Sequence, residues 1–166
     1  MTPDEYLALL TTRLAASYNV EAPKQFGDLR FPLYAKSQLV AGKYILHHSI
    51  TYERIEANEH VFARVLTGPV SPAEVASFVE ELKGLISELV RPSYDHMSSA
   101  LTGVIVAEHG FTPEAVRKIA RMNYTKHFWF GLQGWCFFRL LGIDLATGQV
   151  TANRHGKEVM GAYRPG

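Results

Sequence analysis

Residues 103–122, GVIVAEHGFTPEAVRKIARM, hold the pattern that most restricts how this chain folds. Val104, Ile105 and Val106 form a short apolar run of β-branched residues, which favours a strand. A polar turn follows, and Thr112-Pro113-Glu114 opens a helix, with threonine at the cap and proline in the first turn. A strand that feeds a capped helix commits the chain to a sheet with helices packed on it. Arg117, Lys118 and Arg121 gather on one side of that helix.

Two further helix starts carry the same device. Thr2-Pro3-Asp4-Glu5 is a capping box, and Ser71-Pro72-Ala73-Glu74 repeats it at the same spacing. Tyr6, Leu7, Leu9, Leu10 and Leu14 make the first helix amphipathic to about residue 17. Val75, Phe78, Val79, Leu82, Ile86 and Leu89 form the buried stripe of the second, to about residue 90.

Between these helices the alternation predicts three strands, over 30–40, 44–55 and 59–66. Ala41-Gly42 and Ala57-Asn58 fall where two-residue hairpin turns belong. Two tight hairpins fix the register. One face then carries Leu33, Ala35, Leu39, Leu46, Ile50, Tyr52, Val61, Ala63 and Val65 as core, with His48 and Arg54 in need of partners. The other carries Tyr34, Lys36, His47, Ser49, Thr51, Glu53, His60, Phe62 and Arg64 as a polar face. After the second helix come strands over 101–107, 125–132 and 135–145 and a helix over 113–122. A turn at 144–148 leads into 149–153, and a short helix closes over 157–163. The expected architecture is one α+β domain spanning residues 1–166, in the order α-β-β-β-α-β-α-β-β-β-α, a mixed sheet with flanking helices in two or three layers.

Composition narrows the function classes. A chain of 166 residues, 47% apolar, suffices for one packed core. Cys136 is the single cysteine, which excludes an internal disulfide and a multi-cysteine metal site; its setting, Trp135-Cys136-Phe137-Phe138, reads as core. The start, MTPDEYLALLTTRL, lacks the basic and uninterrupted apolar regions of a signal peptide, and no apolar run is long enough to span a membrane. A cytoplasmic protein with no membrane partner is expected. The net charge of +1 is unevenly spread. Residues 1–114 hold nine Lys/Arg against fourteen Asp/Glu, a net of −5; residues 115–166 hold eight against two, a net of +6. Such asymmetry either marks an anionic partner or intermixes on the folded surface.

The order helix, three strands, helix, strand, helix resembles the core of the PD-(D/E)XK nuclease-like superfamily over residues 2–122, with GVIVA and FTPEAVRKIARM similar to its closing strand and helix. The resemblance implies an acidic residue on the second strand and a Glu/Asp-x-Lys on the third, which together hold a divalent metal and orient the attacking water. The third strand here reads His60-Val61-Phe62-Ala63-Arg64. Phe62 stands where the carboxylate is wanted and Arg64 takes the place of the lysine. On the second strand Glu53 is the only acid, near its end. A scaffold without the usual nuclease chemistry is the expectation.

Three functional readings follow. The first is a non-catalytic binding or accessory module with a degenerate nuclease-like core, meeting a nucleic acid or a protein through Arg117, Lys118, Arg121 and Lys126. The segment Tyr124-Thr125-Lys126-His127-Phe128-Trp129-Phe130 interleaves rings with cations. Rings can stack bases while cations meet phosphates, although such a run is also what a core strand looks like, and core is expected for most of these rings. The second reading is a metal-dependent hydrolase in which His47, Glu53 and His60 ligate the metal, with Lys36 and Arg64 beside them. No cofactor is expected outside this second reading, and there it is a divalent metal. The third is a homodimer built on the aromatic C-terminal strands. Asp95-His96 and Glu108-His109-Gly110 read as turn or capping residues. No glycine-rich phosphate loop or nucleophile elbow is present.

Overall fold

The computed structural model describes residues 1–37, 56–90 and 96–166. Both capping boxes form. Thr2 N donates to Glu5 Oε2 at 2.7 Å and Glu5 N to Thr2 Oγ1 at 3.3 Å, starting α1 (Pro3–Leu14). Ser71 N donates to Glu74 Oε2 at 2.7 Å, starting α2 (Pro72–Leu89). The third helix, α3 (Pro113–Arg121), is capped by Thr112, whose hydroxyl accepts from Ala115 N at 3.2 Å.

Among the described residues the strands are β1 (Tyr18–Glu21), β2 (Lys24–Phe26), β3 (Leu29–Phe31), β4 (Leu33–Ser37), β5 (Glu56–Leu66), β6 (His96–Ala107), β7 (Thr125–His127), β8 (Trp135–Asp144) and β9 (Val150–Ala152). Seven of them form a mixed sheet in the order β1-β4-β5-β6-β8-β7, with β9 also paired to β8. The pairs β5–β6 and β6–β8 are parallel, with α2 and α3 as their crossovers; the other pairs are antiparallel. The fold is α+β with a mixed sheet and flanking helices, as the sequence predicts.

Helices and one hairpin cover the sheet on both faces. On one face α1 packs Tyr6, Leu10 and Leu14 against Leu33, Ala35, Val61, Ala63, Val104, Val106 and Leu141. On the other, α2, α3 and the β2–β3 hairpin pack against Tyr34, Phe62, Leu101, Ile105, Cys136 and Phe138. Leu33, Ala35, Val61 and Ala63 thus share a buried face, as the alternation predicts. Three layers result.

Four local expectations are corrected. The strand expected over 30–40 breaks at Pro32 into β3 and β4, because proline carries no N–H for the ladder. Two of the described strands, β1 and β2, fall between α1 and residue 30, where no strand is expected. Ala57-Asn58 is not a turn: both residues pair with β6, at Ser98 and Ser99, beside a register shift at Glu56/Ala57. Pairing along a parallel ladder overrides their local turn preference. The strand expected over 125–132 stops at His127, and the chain turns through a 3-10 segment, Trp129–Gly131. Ala41-Gly42 and the strand expected over 44–55 lie outside the described residues.

After β9 the chain makes two 3-10 turns, Gly156–Glu158 and Met160–Tyr163, where one short helix is expected. Asn153 organises this return. Its Oδ1 accepts from Leu140 N and Gly156 N, each at 2.9 Å; its Nδ2 donates to Phe138 O at 3.0 Å and Met122 O at 3.1 Å. One buried amide therefore fixes β8, the end of α3 and the last segment together.

Candidate functional site

The face expected to be polar is an aromatic core. Phe62 is fully buried, with its ring centre 5.0 Å from those of Phe31 and Tyr34 and 5.7 Å from that of Phe26. Phe26 and Phe31 come from the β2–β3 hairpin, which closes over this face. β2, one arm of this hairpin, has no counterpart among the strands expected from the sequence, and α2 packs on the same face.

Lys36, His60 and Arg64 are separated in environment. Lys36 and His60 are register partners on β4 and β5, but Lys36 is exposed while His60 is 2% exposed. His60 Nδ1 hydrogen-bonds the Tyr34 hydroxyl at 2.9 Å, and Nε2 has no partner among the described residues. Burial first, and the Lys36 charge second, push the His60 pKa down to about 4, so the imidazole is neutral at pH 7. The same burial, with the charge of Glu21, pushes the Tyr34 hydroxyl up to about 12. Arg64 pairs with Glu81 of α2 and lies over the rings of Phe31 (5.1 Å) and Phe78 (5.6 Å). It is a packing and ion-pair group. His47 and Glu53 lie outside the described residues. Among the described residues no group of three or more His, Cys, Asp or Glu side chains could hold a metal ion.

A polar cluster that the sequence does not single out lies on the α1 face. The Tyr18 hydroxyl donates to Glu59, and Arg139 Nη1 pairs with the other Glu59 oxygen at 3.2 Å. Arg139 also lies 5.4 Å from the centre of the Phe137 ring. Burial and the adjoining Glu59 hold the Tyr18 hydroxyl well above its ordinary value. Both charges are matched, and the trio ties β1, β5 and β8 together. A signal for it exists in the chain: a lone arginine inside the apolar run WCFFRLLGID demands a buried partner.

The remaining predicted residues do come together, on the outside. Arg117, Lys118 and Arg121 are exposed on α3, and Lys126 is exposed on β7. Arg117 pairs with Glu114 at 2.9 Å, an exposed contact that holds the guanidinium weakly. Lys126 Nζ lies 5.6 Å from the Phe128 ring centre, and Lys83 of α2 lies 4.8 Å from that of Tyr124.

Beyond β7 the chain presents apolar side chains to water. Trp129 is 67% exposed, Phe130 100% and Leu132 66%. Core is the expectation for most of the aromatic run, and for Trp129 and Phe130 the structure corrects it. The reason is local: Gly131 (φ 87°) and Gly134 (φ 88°) allow a tight reversal here, and no strand continues. Trp129 and Phe130 themselves take left-handed φ of 49° and 52°, an unfavourable backbone for aromatic residues. Backbone bonds hold the shape: Gly131 N to Phe128 O at 3.0 Å, Leu132 N to Trp129 O at 2.9 Å, Gln133 N to Phe128 O at 3.2 Å and Phe128 N to Gly134 O at 3.0 Å. The rings are displayed on an internally tied turn.

A family model described as a domain of unknown function, DUF8052, matches residues 2–165. The chain belongs to the DUF8052 family. No curated protein and no solved structure matches it. In this DUF8052 chain no helix among the described residues is long and apolar enough to cross a membrane.

Proposed function

We propose that this chain is a non-catalytic binding module that meets a nucleic acid through the exposed side of α3 and β7. One observation carries the reading: Arg117, Lys118, Arg121 and Lys126 are all solvent-exposed on two consecutive elements. Exposed cations on a rigid helix are suited to phosphates, and contact there releases bound counterions. The positions where the resemblance wants a metal-holding acid and a lysine are engaged in packing and pairing. Phe62 is core and Arg64 is bound to Glu81.

Titration of a fluorescent nucleic acid at several salt concentrations tests this. Affinity is expected to fall steeply with salt, and Arg117→Ala/Arg121→Ala to lower the log–log slope by about 0.7–0.9 for each phosphate no longer neutralised. Binding that ignores salt, or that is the same in the double variant, removes the reading.

A further inference from the structure

We infer that Trp129 and Phe130 form a base-stacking site, and that the nucleic acid bound here is single-stranded. The inference rests on the reading of α3 and β7 as a nucleic-acid face, and adds what the rings do. Two aromatic side chains stand exposed at the turn that follows Lys126, held out by a backbone of left-handed φ and four hydrogen bonds. Exposed rings at 67% and 100% cost solvation with nothing covering them among the described residues. Bases offer flat apolar faces that cover such rings, each stack contributing on the order of 1–3 kcal/mol. In a duplex those faces are already stacked on one another. An unpaired strand leaves them free.

The placement of the cations favours a strand over a lipid surface. As the crossover from β6 to parallel β8, α3 runs opposite to both strands, and the aromatic turn lies just before β8 begins. Arg117 and Arg121 stand four residues apart, about 6 Å along the helix axis. The row from Arg121 back to Arg117 therefore recedes from the turn along the strand direction. A flat bilayer touched by Trp129 and Phe130 meets only the near end of that row, whereas a flexible chain of phosphates follows all of it.

The test compares three probes on the full chain: a labelled oligothymidylate about 20 nucleotides long, which exceeds one site, a duplex of the same length, and phosphatidylserine-containing vesicles. The variant is Trp129→Asn/Phe130→Asn, since asparagine accepts left-handed φ and removes both rings. Unchanged urea unfolding confirms that it folds. Wild type is expected to bind the single strand at least about tenfold more tightly than the duplex, and the variant to lose at least about tenfold on the single strand, while its duplex affinity stays the same. Trp129 emission is expected to be quenched as the strand binds. Equal binding of strand and duplex, or a variant that keeps its strand affinity, overturns the inference and leaves the nucleic-acid reading standing. Binding of vesicles but of neither nucleic acid, or of nothing at all, overturns both.

Discussion

The side-chain amide of Asn153 donates to the backbone carbonyl of Met122 across 3.1 Å, joining the segment after β9 to the end of α3. The same side chain makes three further hydrogen bonds in a buried setting. Asn153→Ala removes the partner of two carbonyls, one buried and one part-buried, and of two buried N–H groups, and is expected to cost about 2–4 kcal/mol in urea unfolding. Asn153→Asp is expected to cost more, because a carboxylate then faces the carbonyls of Met122 and Phe138. A loss below about 0.5 kcal/mol for Asn153→Ala contradicts this account.

Gly103 and Gly142 let helices approach the sheet. A Cβ on Gly103 would lie 2.8 Å from Leu82 Cδ1 and 2.9 Å from Phe78 Cε1; one on Gly142 would lie 2.8 Å from Ile119 Cδ1 and 2.9 Å from Phe111 Cζ. Alanine at either site is expected to destabilise by about 1–3 kcal/mol. Gly84, inside α2 with nothing within 4 Å of its Cβ position, is the control. Gly84→Ala is expected to stabilise by about 0.5–1 kcal/mol, and thermal melts of the three variants check the contrast in sign.

His60 makes stability depend on acid. Its pKa is depressed to about 4 in the folded chain from an ordinary 6.5, so the unfolded chain binds the extra proton first. The stabilisation is fully present above pH 6.5 and is lost as pH falls from there toward 4, on the order of 3 kcal/mol in all. His60→Leu is expected to flatten this part of the curve of unfolding free energy against pH. A variant whose curve keeps the wild-type slope between those values would assign the loss to other groups.

Burial pushes the Cys136 thiol up to about 12, and no other cysteine competes for reagent. In the native protein at pH 8 this thiol is expected to resist Ellman's reagent, and to react fully once denaturant exposes it. Rapid labelling without denaturant would show that the sheet opens near β8.

What the sequence discloses depends on whether its signals are local. Thr2 with Glu5 and Ser71 with Glu74 announce two helices, because a capping box is complete within four residues. Leu33, Ala35, Val61 and Ala63 disclose their shared face through alternation alone. The reversal expected at Ala57-Asn58 fails because the competing partner, β6, lies about forty residues away in the chain. Tyr34 and Phe62 look wetted in the sequence because part of their cover, the three-residue β2 that carries Phe26, is too short to show a period. At the candidate site, the exposure of Arg117, Lys118, Arg121 and Lys126 follows from helix periodicity and strand edge. The exposure of Trp129 and Phe130 does not, since aromatic content says strand and only the backbone at Gly131 and Gly134 says otherwise.

The hydrogen bonds that close the turn around Trp129 and Phe130 decide how this tip meets anything. Its shape is set before an encounter, so little freedom is surrendered on contact and the loss of order that weakens floppy recognition loops is avoided. Its side chains can also be exchanged without disturbing the layers beneath, which leaves the choice of partner open to change while the scaffold stays the same.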